Sequence, residues 1–169
     1  AYEISDYDYI AGLKSFQDGM YQIQDISSML AGEYTAPKAG DTIVDVCGAP
    51  GGKSINAALK MSEQGDCGRV IARDLSDYKV ALIDENIKRL NITNIQTQVY
   101  DALDCDESLI NKADIVIADL PCSGLGIIGR KPDIKYNASP EKLQSLVDLQ
   151  RDILKVVSRY VKSGGVLMY

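Results

Sequence analysis

Short apolar runs alternate with longer segments of helical period along most of this chain. The apolar runs cover residues 42–46, 69–73, 95–100 and 115–118, and a fifth begins at 166. Between them, apolar residues recur every three or four positions, as in amphipathic helices. The helical segments cover 52–62, 77–90 and a long stretch that begins at Ser139-Pro140 and ends at Gly164-Gly165. This alternation predicts an α/β fold, a doubly wound parallel sheet with its ligand at the carboxyl ends of the strands.

The region before the first strand has a different character. The first fourteen residues are acidic and tyrosine-rich, without a clear period. Asp18-Gly19 is typical of a hairpin turn, and Asp25 is the predicted N-cap of a short helix that reaches Leu30. We therefore interpret residues 1–40 as a lead-in segment and residues 41–169 as the ligand-binding core.

The stretch at 42–54 is the centre of the pattern. The apolar run TIVDV leads into the small-residue turn CGAPGGKS, and a helix begins near Gly52. Such a loop lets the backbone approach a ligand closely, and a helix start favours negative charge. The loop has neither the G-x-G-x-x-G order of dinucleotide sites nor the G-x-x-x-x-G-K-[ST] order of phosphate loops. By itself it identifies no ligand.

Three aspartates follow predicted strands: Asp74, Asp101 and Asp119. Asp74 comes about twenty residues after the glycine loop, where a ribose-binding acid belongs. Three carboxylates on one rim suit a ligand with hydroxyls, an exocyclic amine and a cationic centre. Asp74 and Asp101 have the alternative of being solvated strand-end residues. Asp45 lies inside its strand and is interpreted as binding loop amides, outside the site.

Composition narrows the function. A length of 169 residues suits one domain with a sizeable core. No apolar run reaches membrane-spanning length and no leader opens the chain, so we expect a cytoplasmic protein. We also expect it to be a monomer. The four cysteines form no C-x-x-C pair, so no metal site is expected. The net charge of −6 argues against a broad nucleic-acid surface. Without histidine, acid–base chemistry must use carboxylates, lysine, tyrosine, thiols or water.

Four motifs in order make the chain recognisable. The motif DLPCSG at 119–124 together with CGAPGGK at 47–53 resembles the RNA 5-methylcytosine methyltransferases of the Sun/Fmu type, the ribosomal RNA small-subunit methyltransferase B-like family. The segments FQDG at 16–19 and QDISS at 24–28 look like the segment that precedes the cofactor domain in that family. The segment RKPDIK at 130–135 is similar to the basic segment after the family's Pro-Cys motif. The resemblance covers essentially the whole chain. Gly48 stands where the family usually has alanine, a mild departure that should leave binding intact.

The resemblance implies a Rossmann-like class I methyltransferase core with strand order 3-2-1-4-5, truncated after strand 5, and S-adenosylmethionine as methyl donor. Asp74 would accept from the ribose hydroxyls, Asp101 would face the adenine, and Asp119 the methionine amine. The loop residues expected to wrap the cofactor through backbone atoms are Cys47, Gly48, Ala49, Pro50, Gly51, Gly52 and Lys53. The implied partner is RNA, ribosomal RNA in particular, bound by the full-length protein.

The chemistry explains the need for cysteine. Carbon 5 of cytosine is a poor nucleophile until a thiolate adds at carbon 6. In the resembled family the attacking thiol lies in a Thr-Cys motif after the fifth strand, and the Pro-Cys cysteine assists release. Cys122 matches the second, so Cys122 and Asp119 are the expected catalytic residues. The chain ends at Tyr169, where the Thr-Cys motif should follow, so this fragment is expected to bind cofactor without transferring methyl groups.

Other interpretations stay open. A DNA cytosine methyltransferase would use the Pro-Cys cysteine itself as nucleophile, and a non-catalytic module would only hold cofactor or RNA. An NAD-binding fold is a further alternative. Cys47 is interpreted as a packing residue, Cys67 and Cys105 as incidental, and Lys53 as the partner of a carboxylate. Arg130 and Lys131 either contact RNA or form a solvated basic pair, and Tyr136 either stacks on a base or covers the core.

Overall fold

The computed structural model describes residues 2–6, 8–65 and 68–169. Its sheet has five strands: β1 Thr42–Asp45, β2 Arg69–Asp74, β3 Ile95–Val99, β4 Ala113–Ile117 and β5 Val161–Met168. The described α-helices are α1 Lys14–Gln17, α2 Ile26–Thr35, α3 Gly52–Ser62, α4 Asp77–Leu90, α5 Ile134–Asn137 and α6 Pro140–Val157. Short 3-10 turns lie at Ile10–Gly12, Glu107–Leu109, Leu125–Ile127 and Ser158–Tyr160.

All strand pairs in the sheet are parallel, and the spatial order is β3-β2-β1-β4-β5. The fold class and the strand order are therefore confirmed. Asp45 pairs with Ala72 and Ile117, and Asp74 pairs with Val99. These register pairs place the ends of β1 and β2 on the same edge as the segments that carry Asp101 and Asp119.

Alternate residues of each central strand face opposite sides of the sheet. Val44, Val116 and Ile71 belong to one core cluster, which also contains Ile153 and Val157 of α6. The neighbouring strand residues belong to a second cluster, which packs against α3. Its members are the strand residues Ile43, Val70, Ile115 and Ile117 and the α3 residues Ala57, Ala58 and Met61. Helices on both faces explain why the central strands are continuous apolar runs rather than alternating ones.

The lead-in segment departs from the sequence prediction in three ways. The turn at Asp18-Gly19 follows the short helix α1, so it joins no hairpin. Asp25 does stand at the N-cap of α2, but its side chain makes no cap hydrogen bond and instead pairs with Arg130 at 3.2 Å. Helix α2 also continues past Leu30 to Thr35, whose hydroxyl donates to the carbonyl of Ala31 at 2.9 Å.

The end of α6 is the other correction. Its apolar face predicted a helix as far as Gly164-Gly165, whereas α6 ends at Val157 and β5 begins at Val161. Buried Tyr160 explains the early stop, because its hydroxyl accepts from the amide of Asp106 at 2.9 Å and donates to the carbonyl of Asp104 at 3.2 Å. Gly164 lies within β5, next to an irregularity in the β4–β5 register. No helix in the described ranges is long and apolar enough to cross a membrane.

Candidate functional site

The glycine loop folds tightly over the carboxyl ends of β1 and β2. The amide of Gly48 donates to the carbonyl of Arg73 at 2.7 Å, and the amide of Gly51 donates to the carbonyl of Gly48 at 2.6 Å. Gly51 has φ = +103°, and a Cβ there would lie 3.1 Å from the side chain of Ile83. The positive φ therefore favours glycine at this position, and any Cβ would also press closely against Ile83. The first amides of α3 follow directly and point out of the helix start.

Asp74 fastens this loop to β2. Its Oδ2 accepts from the amide of Ala49 at 3.1 Å, and its Oδ1 accepts from the amide of Leu75 at 2.8 Å and pairs with Lys79 at 3.0 Å. The residue is only 3% exposed. The predicted ribose acid therefore lies at the strand end as expected and already has three donors within the chain.

A cavity of about 270 Å³ opens beside the loop. Its lining includes most of the predicted loop residues and Asp119: Cys47, Gly48, Ala49, Pro50, Gly52, Lys53 and Asp119. The same cavity is lined by residues that the sequence analysis left out: Gln22, Ile23, Gln24, Asp25, Ser28 and Asp45. Four of the predicted site residues lie outside the lining of this cavity: Gly51, Asp74, Asp101 and Cys122.

Asp45 lines the cavity, although the sequence analysis placed it outside the site. It is 1% exposed, its Oδ2 accepts from the hydroxyl of Ser54 at 2.6 Å, and its Oδ1 has no partner. Burial raises the pKa of this carboxyl to about 6, against the lowering effect of the Ser54 hydrogen bond. Its position at the end of β1 was the available signal, since the same argument had selected the other three aspartates.

Lys53 connects three elements around the cavity. Its ammonium group lies 2.7 Å from Oδ2 of Asp119 and 3.1 Å from the hydroxyl of Ser28. The expected carboxylate partner of Lys53 is thus Asp119, whose side chain stays 58% exposed. The pair joins the start of α3 to the segment after β4, and it holds one carboxylate oxygen of Asp119 while leaving the side chain accessible.

Asp101 and the cysteines occupy different environments. Asp101 is half-buried, and its Oδ1 accepts from the amide of Leu103 at 2.9 Å. Burial, together with the nearby Asp74 and Asp45 carboxylates, raises the pKa of the Cys47 thiol to about 12. Cys47 is consequently a neutral thiol near pH 7 and a poor nucleophile. Cys105 packs against the α6 side of the core, whereas Cys67 lies outside the described residues.

Cys122 is exposed on the segment after β4. Gln150 of α6 donates to the carbonyl of the preceding Pro121 at 2.7 Å and so fixes the backbone there. Further along, Arg130 pairs with Asp25 at the rim of the cavity, with both side chains mostly exposed. Tyr136 is 78% exposed, which excludes a role in covering the core.

The arrangement can bind a small ligand that carries both charges. Two buried polar atoms in the cavity lining have no partner: the Gln24 amide nitrogen, a donor, and Asp45 Oδ1, an acceptor. Unpaired buried groups are costly, and a ligand that supplies an acceptor and a cation would satisfy both. Within residues 2–6, 8–65 and 68–169, no group of three or more histidine, cysteine, aspartate or glutamate side chains is placed to hold a metal ion.

Solved structures give the class of protein. The structure titled NSun6 from Pyrococcus horikoshii with SFG matches 95% of this chain and 40% of its own, with a TM-score of 0.82 and 29% identity. A methyltransferase homologue from the same organism matches 96% of this chain and 49% of its own, with a TM-score of 0.79 and 26% identity. The fold is that of the Rossmann-like methyltransferases.

The family follows from the sequence comparisons. The model described as 16S rRNA methyltransferase RsmB/F matches residues 33–169. The chain belongs to this family of RNA methyltransferases. A probable ribosomal RNA small subunit methyltransferase B from Bacillus subtilis is 42% identical over 161 residues, which are 95% of this chain and 35% of the relative. The corresponding protein of Vibrio cholerae is 35% identical over 164 residues, 93% of this chain and 35% of the relative. The chain thus spans about a third of the length of these curated relatives.

Proposed function

We propose that this chain is the cofactor-binding core of an enzyme that transfers a methyl group from S-adenosylmethionine to carbon 5 of a cytosine in RNA, ribosomal RNA in particular. The observation that carries the proposal is the placement of Cys122. An exposed cysteine follows Asp119 by three residues, on the segment whose Asp119 is held by Lys53 at the mouth of the cavity.

The cavity supports the choice of cofactor. S-adenosylmethionine ends in an amino acid with an ammonium and a carboxylate group, and the two unpaired atoms of the lining have the matching polarities. Asp119 and Asp45 are the candidates for the ammonium group. When bound, the cofactor supplies an electrophilic methyl group next to a cationic sulfur.

The nucleoside end is assigned to the outer rim. Asp74 would accept from the ribose hydroxyls and Asp101 would lie on the adenine side, while the loop residues 47–53 contact the cofactor mainly through backbone atoms. Asp74 Oδ1 is paired with Lys79, whose side chain is half-exposed to solvent. Ribose hydroxyls would therefore take the place of a surface ammonium, a replacement with a small cost.

Two thiols divide the chemistry in this proposal. A thiolate adds to carbon 6 of the cytosine, carbon 5 takes the methyl group from the sulfonium, and a base takes the carbon-5 proton as the sulfur leaves as a thiolate. We assign the release step to Cys122. The attacking thiol is assigned to the Thr-Cys motif that the family resemblance implies, since Cys47 is half-buried and neutral.

The test uses RNA that carries 5-fluorocytosine, where fluorine replaces the proton that must depart. In the presence of S-adenosylmethionine, we expect a longer protein that includes the region after Tyr169 to form a covalent adduct, seen as a shifted band on a denaturing gel. Cys122→Ala in that protein should accumulate adduct with ordinary RNA, because attack persists while release is impaired. Nucleoside analysis of ordinary RNA after reaction with the longer protein that keeps Cys122 should find 5-methylcytidine.

The DNA-type mechanism gives the opposite result. There, Cys122 is the nucleophile, and the 169-residue chain itself would form an adduct that disappears in Cys122→Ala. A longer protein that includes the region after Tyr169, binds cofactor and forms no adduct with any substrate would favour the non-catalytic module. The monomeric state, the cytoplasmic location and the boundary at residue 40 stay predictions.

A further inference from the structure

Arg89, near the end of α4, holds the lead-in segment against the core through hydrogen bonds. The guanidinium of Arg89 donates to the carbonyls of Phe16 and Tyr21, each at 3.0 Å, and also to the side-chain oxygen of Gln22. It lies 3.9 Å from the centre of the Phe16 ring. One side chain thus holds both ends of the turn at 16–22, because its planar fork offers several donors at once.

The packing of this turn leaves little freedom. Gly19 has φ = +73°, and a Cβ there would lie 1.8 Å from the carbonyl oxygen of Arg89, so only glycine allows the turn to rest on the helix end. One turn earlier in α4, Asn86 accepts from Arg89 at 3.2 Å and donates to the carbonyl of Pro50 at 3.0 Å. Helix α4 therefore fixes the lead-in segment and the glycine loop relative to each other.

The contacts of Arg89 with residues 16–22 place Gln24 at the cavity. The amide nitrogen of Gln24 is buried and has no partner. It lies over the start of α3, since a Cβ on Gly52 would be 3.6 Å from it. A helix start favours an anion, and the side chain adds a directed donor to the same place. Lys53 also lines the cavity, and its ammonium group already donates to Asp119 and Ser28.

We propose that Gln24, held in place by Arg89, donates a hydrogen bond to the α-carboxylate at the amino-acid end of the cofactor. The inference rests on the proposed cofactor and adds a binding residue and a positioning residue from the lead-in segment. Asp45 and Asp119 would repel a carboxylate, so the anionic group is directed to the Gln24 side of the cavity and the ammonium group to the aspartates.

Calorimetric titration with two ligands tests the role of Gln24. One ligand is S-adenosylhomocysteine and the other is its decarboxylated analogue, which keeps the nucleoside and the amine. A hydrogen bond to a charged group is worth enough that Gln24→Ala should weaken S-adenosylhomocysteine at least about tenfold. Gln24→Glu should weaken it further by repulsion. Affinity for the decarboxylated analogue should change by less than about twofold in Gln24→Ala.

Gln17→Ala is the matched control, because this glutamine lies on the same segment but donates to the carbonyl of Ala11, away from the cavity. It should bind both ligands like the unmodified protein. Arg89→Met should reproduce the carboxylate-selective loss and should speed hydrogen exchange of residues 20–25, and Arg89→Lys should restore part of the affinity. If the Arg89 variants do not fold, the Gln24 variants still decide the question.

The outcomes separate the two proposals. An unmodified protein that binds neither ligand overturns the proposed function and this inference with it. An unmodified protein that binds both, with Gln24→Ala losing the same factor for each ligand, overturns the carboxylate assignment and leaves the proposed function standing. Equal affinities of Gln24→Ala and the unmodified protein for S-adenosylhomocysteine would also overturn the carboxylate assignment and leave the proposed function standing.

Discussion

The two sides of the rim differ in how deeply the chain buries its polar groups. On the β1–β2 side, Asp45 and Asp74 are 1% and 3% exposed and are held by side-chain and backbone donors. On the β4 side, Cys122, Arg130 and Tyr136 are exposed. A site built before its ligand arrives suits a small cofactor, and an open surface suits a large partner that brings its own contacts.

The reason lies in the sheet. Asp45 and Asp74 are the last residues of their strands, where neighbouring strands and helices on both faces bury them, whereas Cys122 and Arg130 lie beyond the end of β4. The segment after β4 leaves the sheet between the cavity and α6, with Gln150 holding Pro121. The difference between the two sides leads to three predictions, given in order of expected effect.

The largest effect is expected from Asp74→Ala on the buried side. The change removes two proposed hydrogen bonds to the ribose and also the anchor of the Ala49 amide. Charge-assisted hydrogen bonds are worth about 1.5–3 kcal/mol each, so affinity for S-adenosylhomocysteine should fall at least about 100-fold in calorimetric titration.

Lys79→Ala is the control for that variant, because it removes the ammonium group from Asp74 and leaves the carboxylate in place. It should bind the ligand as well as the unmodified protein or slightly better. Unchanged affinity in Asp74→Ala would rule out the ribose assignment.

A smaller effect, on stability, is expected from Asp45→Asn. The folded-state pKa of Asp45 is raised from 3.8 to about 6, so between these values the folded protein keeps a proton that the unfolded chain has lost. Stability therefore falls as pH rises from about 4 to about 6, and above pH 6 the full cost of the buried charge, about 3 kcal/mol at most, remains. Asn avoids this cost, so the variant should gain stability over the unmodified protein across that window.

Urea unfolding at pH 4, 5 and 7 measures the difference directly. Asp148→Asn, at an exposed carboxylate on α6, serves as the comparison and should show no such gain. A constant difference between Asp45→Asn and the unmodified protein at all three pH values would contradict the buried charge.

The smallest effect is expected on the open side, from Arg130→Ala. If Arg130 contacts a phosphate, the variant should reduce the salt dependence of RNA binding by about one unit of slope. Binding by the 169-residue chain should be weak throughout, since its net charge is −6.

Arg151→Ala is closely matched, because both arginines are exposed and pair with an aspartate at 3.2 Å. Filter binding over a range of salt concentrations compares the two. Equal slopes for both variants would assign Arg130 to the solvated surface.

The periodic parts of the fold were predictable. The bounds of α3 and α4 and the positions of β1 to β4 follow from helical period and apolar runs, and a rule about strand ends selects Asp74, Asp101 and Asp119. The end of α6 was not predictable from the sequence, because it depends on contacts of Tyr160 with residues more than fifty positions away.

The lead-in side of the cavity was equally hidden from the sequence. Gln24 reaches the cavity through contacts between residues 16–22 and Arg89, which no local pattern encodes. Asp45 was within reach of the strand-end rule, but its place inside an apolar run favoured a structural interpretation.

The central claim is that this cavity and the adjoining rim bind S-adenosylmethionine. A crystal structure of the protein with S-adenosylhomocysteine tests it most directly. We expect the amino-acid end of the ligand in the cavity between Gln24 and Asp119, and the ribose against Asp74. Ligand density at another place on the sheet, or a protein that takes up no ligand at saturating concentration, would contradict the account.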